Sequence, residues 1–177
     1  MWITIAVVIL AMASVVGPIL WIMPSKYQLK VAKMRQSALQ HGLRVMMNDI
    51  PPRAYCDNGE RRWIAVYYLP WSAREQDTAA AKQVRKISQQ PWRLVYEKLD
   101  HELHFSEHWQ WSEALVAPAP WQLALRGLLA ALPPGVCAVE NNRQGLAIYW
   151  NERGDEQNVA VIATLLHRLR DQVVDNN

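Results

Sequence analysis

The sequence predicts an α+β protein, in which an N-terminal transmembrane helix precedes a mixed or antiparallel sheet covered by two or three helices. Three observations support this fold class. Residues 2–23 carry no charge. Short apolar runs bounded by turn residues follow in the middle of the chain, and apolar residues recur at helical spacing near the C-terminus. These features divide the chain into a transmembrane helix at 2–23, a basic helix at 24–42 and a domain at 43–177.

The first segment has the length needed to cross a bilayer, which takes about 20 apolar residues. Trp2 and Trp21 lie near its two ends, and aromatic side chains favour the membrane interface. A cleaved signal peptide is the alternative, because Ala11, Met12 and Ala13 resemble a cleavage site. A signal peptide also needs a basic residue before its apolar run, and none is present here. We therefore expect a retained anchor.

The formal net charge of +3 arises in a short part of the chain. Residues 1–48 contain five basic side chains and no acid, whereas the remainder contains fourteen basic and sixteen acidic ones. Because basic flanks stay in the cytoplasm, we predict a single-pass protein of the bacterial inner membrane. Its N-terminus would lie outside and its domain in the cytoplasm. The slightly acidic domain argues against a nucleic-acid partner.

The second segment has the signals of a helix. Ser25 and Gln28 fit the capping-box pattern, and Gly42 suits the C-terminal cap. Its basic side chains are expected to meet a bilayer with anionic headgroups; they are Lys26, Lys30, Lys33 and Arg35. The alternative is that these charges only fix the topology.

Residues 1–48 resemble the YajC-type accessory subunits of the bacterial preprotein translocase. The shared layout is a charge-free span, Pro24, a lysine-rich stretch from Lys26 to Arg35, and a strand that opens with Gly42 and Leu43. The same layout is similar to that of uncharacterised single-pass membrane proteins of proteobacteria. The resemblance implies a single-pass topology and an accessory role, and it does not extend beyond residue 48.

The third segment is predicted to be one compact domain, because it has neither an internal repeat nor a flexible linker. Asn58 and Gly59 form a hairpin signal between two of its strands. Strands are expected at 43–48, 53–57, 60–69, 92–97, 103–111, 136–140 and 146–150. Helices are expected at 72–88, 121–132 and around 159–173. The helix at 121–132 is apolar nearly all round, which predicts a buried position.

Three histidines form the one candidate metal site, with the spacing His101-x2-His104-x3-His108. On a helix these side chains would share a face and could hold zinc. On a strand His101 would point away from the other two. The alternating apolar residues at 103, 105, 109 and 111 favour the strand, and hence solvated histidines rather than a metal site.

The chain has nine tryptophans and one phenylalanine. Trp109 and Trp111 would share one strand face and could form a stacking platform for a ligand. The favoured alternative is that tryptophans fill the core and form protein interfaces. Cys56 and Cys137 are expected to be buried, reduced thiols, because disulfides are rare in the cytoplasm.

The sequence contains no phosphate-binding loop, dinucleotide fingerprint or serine-nucleophile motif. We therefore predict no enzymatic activity and no cofactor. The expected function is that of a membrane-anchored interaction or accessory module of a bacterial envelope assembly, with a membrane or cytoplasmic protein as partner. The alternative is a membrane-tethered sensor that binds a ligand or a metal through residues 101–111.

Overall fold

The computed structural model describes residues 1–22, 24–57, 59, 62–71, 86, 89–98, 105–112 and 115–175. The chain divides into two compact units, residues 1–32 and residues 33–177. The second unit therefore begins inside the predicted basic helix rather than at residue 43. The predicted helix at 72–88 lies almost entirely outside the described residues.

The first helix, α1, comprises Trp2–Ile22. Within the described residues, however, no helix combines the length and the apolar character needed to span a membrane. The prediction of a transmembrane helix at 2–23 is therefore wrong, as are the single-pass topology and inner-membrane location derived from it.

The second helix, α2, comprises Lys26–Gln40 and begins with the predicted capping box. The backbone amide of Gln28 donates to Ser25 Oγ at 3.2 Å, and the amide of Ser25 donates to Gln28 Oε1 at 2.8 Å. Gly42 follows the helix with a φ of 76°, the left-handed conformation that glycine adopts at helix ends. Met34 and Ala38 are buried, so the C-terminal half of α2 belongs to the core of the second unit.

Within the described part of the chain, six strands form one sheet in the order β1-β2-β6-β5-β3-β4. Their bounds are β1 Arg44–Asp49, β2 Trp63–Pro70, β3 Trp92–Tyr96, β4 Trp109–Trp111, β5 Val136–Asn141 and β6 Gly145–Trp150. All pairs are antiparallel. The α+β class and the antiparallel sheet are thus confirmed, and the hairpin of β5 and β6 lies where it was predicted.

One face of the sheet carries helices. These are α3 (Ala119–Leu129) and α4 (Glu156–Asp175). The predicted apolar stripe of α4 is fully buried; it consists of Val159, Ile162, Leu166, Leu169 and Val173. The helix begins earlier than expected because Asp155 caps it: Oδ1 of Asp155 accepts the backbone amides of Gln157 at 3.0 Å and Asn158 at 3.1 Å.

The opposite face is partly covered by the segment between β1 and β2. Ile50, Ala54 and Cys56 pack against a buried cluster on this face. The predicted strand at 53–57 does not form, because β1 already occupies the edge of β2. Arg53, the first residue of the predicted strand, also has a φ of 67°, which is far from the extended backbone of a strand.

A disulfide joins Cys56 to Cys137 of β5, with the Cα atoms 5.3 Å apart. It fastens the 50–57 segment to the sheet. The prediction of two reduced thiols is therefore wrong. The two cysteines lie 81 residues apart in the sequence, and only the folding of the sheet brings them together.

The predicted strand at 103–111 is also shorter than expected. Only Trp109–Trp111 form β4. Glu107 has a φ of 47°, and the preceding residues turn the chain so that Ser106 pairs with Trp109. Residues 103 and 104 lie outside the described residues.

Candidate protein-interaction surface

The outward face of α3 consists of apolar and small residues apart from Arg126. The helix starts with a proline in its first turn, where the missing amide hydrogen costs nothing. Trp121, Leu125, Leu128 and Leu129 point inward and are buried. Leu123 points outward and is 81% exposed. The predicted burial of this helix therefore holds for its inward residues, whereas Leu123 on the other side meets solvent.

A groove of about 250 Å³ lies between α3 and α4. Pro120, Leu123, Ala124, Gly127 and Leu128 line it from α3, and Leu165, Arg168, Leu169 and Gln172 line it from α4. The α3 wall of the groove is apolar, whereas the α4 wall combines two leucines with Arg168 and Gln172. Exposed apolar surface of this kind marks a binding site more often than an ordinary patch of protein surface does.

Gly127 leaves open space on the outward face of α3. A Cβ atom built at this position meets no other atom within 4 Å. Glycine in a helix interior costs about 1 kcal/mol relative to alanine, so the isolated fold would be more stable with a side chain here. The space above Gly127 therefore permits a close approach by another molecule.

Among the described residues that line the groove, Arg168 is the charged one. It is exposed, and within the described residues it makes no ion pair. Arg126, on the exposed side of α3, lies 4.5 Å from the ring of Phe105. The charge at this surface is thus positive.

An aromatic cluster lies beneath α3 and fixes its position. Trp121 packs edge-on against Trp92 with ring centroids 5.0 Å apart, and Trp92 packs against Trp111 at 6.3 Å. Trp109 contacts Tyr96 at 5.6 Å and is 7% exposed. Trp109 and Trp111 do share a sheet face, as expected from their pairing with alternate residues of β3. They pack against other aromatic rings, which supports the core role over the ligand platform.

Of the three histidines of the predicted metal site, the structure describes only His108. His101 and His104 lie outside the described residues. His108 packs against Tyr96 at a tilt, with ring centroids 5.3 Å apart, and its Nδ1 has no hydrogen-bond partner within the described part of the chain. Among the described residues, no three metal-ligating side chains come close enough to hold an ion.

The basic residues of α2 divide into two groups. Lys26, Lys30 and Lys33 are exposed. Arg35 instead donates two hydrogen bonds to Glu152, which is 7% exposed. Arg35 thus fastens α2 to the segment after β6, and its role is structural rather than interfacial. Trp2 is 84% exposed, and Trp21 lies at the end of α1.

A buried hydroxyl completes this ion pair. Tyr67 donates to Glu152 Oε1 at 3.0 Å. Burial raises the pKa of Tyr67 above its usual range, and the Glu152 carboxylate raises it further, while Arg35 acts in the opposite direction. The folded chain therefore retains the Tyr67 proton to a higher pH than the unfolded chain does.

A second polar network crosses the other sheet face. Glu140 accepts from Arg93 Nε at 2.6 Å and from Asn142 Nδ2 at 2.5 Å. Burial, followed by the charge of Glu140, raises the pKa of both Tyr149 and Tyr68. Each member has a partner on a neighbouring strand or turn, so the network aligns the strands.

The composition of α3 fits an exposed apolar surface as well as a buried helix. Between Ala119 and Leu129 there is a single charged residue, Arg126. An amphipathic helix on a sheet normally has a charged outer face. The lack of a charged outer face predicts burial within the domain, but it also fits a helix that presents an apolar surface to a partner.

The resemblance of residues 1–48 to YajC-type subunits stays a prediction. No protein-family model, curated protein or solved structure matches this chain.

Proposed function

We propose that the second unit, residues 33–177, is a protein-interaction module that binds its partner through the groove between α3 and α4. The observation that carries the proposal is Leu123, a large apolar side chain that is 81% exposed at the edge of an apolar groove. Burying a leucine contributes about 1.5–3 kcal/mol. A partner that covered Leu123 would gain this contribution.

The size of the groove favours a protein partner over a small molecule. Its volume of about 250 Å³ lies below the roughly 300–1,000 Å³ of sites that enclose a small ligand. It suits apolar side chains inserted from another protein. The alternative, a ligand or metal sensor at 101–111, has less support, because Trp109 and Trp111 are engaged in aromatic packing.

A photoreactive residue tests the surface directly. We expect p-benzoylphenylalanine at position 123 of the full chain to crosslink one identifiable protein in cells. The matched control is position 39, because Leu39 is also an exposed leucine, at 64%, but lies on α2. The same protein captured equally at both positions, or none at position 123, would contradict the proposal.

Affinity measurements with the purified, identified partner give the second part of the test. Leu123→Lys should weaken binding at least tenfold, which corresponds to about 1.4 kcal/mol. Leu39→Lys should stay within about twofold of the unmodified chain. Both leucines are exposed, so neither substitution should unfold the domain.

A further inference from the structure

We infer that the occupant of the groove is an amphipathic helix of another protein, with two large apolar side chains one turn apart and an acidic residue beside them. This inference rests on the proposed function and adds the chemistry of the partner. It is carried by the length of the groove, its apolar lining and the sign of its charge.

The length of the groove fits two helical turns. On α3 the lining runs from Pro120 to Leu128, and on α4 from Leu165 to Gln172. At about 1.5 Å per residue, these stretches measure roughly 12 Å and 10 Å. Side chains at positions i and i+4 of a helix stand about 6 Å apart, so two of them fit along the groove.

The charge at the groove favours an acidic partner. Arg168 lines it, and among the described residues of its lining there is no carboxylate. A neighbouring depression of about 800 Å³ shares Arg168 but also contains Asp171, whose Oδ1 lies 2.9 Å from Arg170 Nη2. The groove itself is therefore cationic, whereas its neighbour is mixed.

A second copy of the chain fits this surface less well. If two copies met symmetrically through their grooves, the interface would contain both Arg168 side chains and no carboxylate from the described lining residues to pair with them. Like charges placed together in an interface oppose association. A carboxylate from a different protein would instead form a hydrogen-bonded ion pair with the guanidinium.

Two helical peptides with constrained backbones test the inference. Both carry leucines at i and i+4, and they differ in having glutamate or lysine at the flanking positions. Binding to the full chain is measured by fluorescence anisotropy. We expect the glutamate peptide to bind at least fivefold more tightly than the lysine peptide. Arg168→Glu should reverse this order, whereas Arg143→Glu, which makes the same change in net charge at an exposed turn, should preserve it.

The outcomes separate the two proposals. Equal binding of both peptides would overturn the acidic preference. If Leu123→Lys then abolished the binding of both peptides, the docking surface would still be supported. Binding of neither peptide, or reversal by Arg143→Glu as well, would overturn the inference about the helix. The proposed function itself is decided by the crosslinking result at position 123 together with the affinity of Leu123→Lys for the captured protein.

Discussion

The guanidinium of Arg35 donates two hydrogen bonds to the carboxylate of Glu152, 2.8 Å from Nε to Oε1 and 2.7 Å from Nη2 to Oε2. The two residues lie 117 positions apart in the sequence. Glu152 has a φ of 56°, which is the left-handed backbone conformation that residues other than glycine rarely adopt. The ion pair therefore holds both the C-terminal half of α2 and the turn that leads into α4.

Removal of one member of this pair should cost more than removal of both. Arg35→Met leaves a buried carboxylate with Tyr67 as its hydrogen-bond partner, and we expect a loss of about 1–3 kcal/mol in unfolding free energy. The double variant Arg35→Met/Glu152→Gln removes the charge as well, and should recover part of that loss. Urea denaturation at pH 7 measures both values. If the loss of unfolding free energy in the double variant equalled the sum of the losses in Arg35→Met and Glu152→Gln, the two residues would act independently.

The disulfide should make stability depend on the redox state. In the chain-entropy treatment, closing a loop of this length stabilises the fold by about 4–5 kcal/mol, and the cysteines are 81 residues apart. We expect a phosphine reductant to lower the midpoint of thermal unfolding, and alkylation of the untreated, denatured chain to find no free thiol. The Cys56→Ser/Cys137→Ser variant should be insensitive to the reductant. Equal midpoints with and without it in the unmodified chain would count against the bond.

The strands and helices with strict periodicity could be predicted from the sequence. In α4 the apolar stripe recurs at helical spacing and is buried from Val159 to Val173. In β5 and β6 the apolar runs flank a polar turn, and they pair across it. These patterns are local, so the neighbouring residues alone are enough to specify the element.

The contacts that join distant segments could not be predicted in this way. Arg35 lies among lysines in the sequence, yet it pairs with a glutamate far along the chain. Cys56 follows Pro51 and Pro52 in a segment with hairpin signals, and its partner is on β5. On α3, Leu123 has the same apolar character as the buried leucines beside it, so the sequence does not show which face meets solvent.

The buried tyrosines should make the fold sensitive to alkaline pH. The pKa values of Tyr67, Tyr68 and Tyr149 are raised in the folded chain, first by burial and then by Glu152 or Glu140. A raised pKa stabilises the fold at pH values below the ordinary tyrosine pKa of about 10. This contribution is lost as the pH rises above that value, because the unfolded chain then releases protons that the folded chain retains.

We therefore expect the unfolding free energy to stay level between about pH 8 and 9 and to fall above about pH 10. Tyrosinate absorbance at about 295 nm should rise together with the loss of near-ultraviolet circular dichroism, because these hydroxyls ionise on unfolding. Tyr149→Phe is the matched variant. It should reduce the slope of stability against pH above about pH 10. A stability that rises through this range would contradict the assignment.

Substitution of Gly127 should change the stability of the fold and the affinity for the partner in opposite directions. Its Cβ position is open, so Gly127→Ala should raise the unfolding free energy by about 0.5–1 kcal/mol through a lower entropy of the unfolded chain. The same methyl group would stand in the space that a partner helix approaches, and we expect at least a fivefold loss of affinity for the partner captured at position 123. Gly135 is the matched control. It has a φ of 84°, and a Cβ there would meet the side chain of Asn151, so Gly135→Ala should destabilise the fold. A destabilised Gly127→Ala, or one that binds its partner unchanged, would show that the glycine serves the fold rather than the interface.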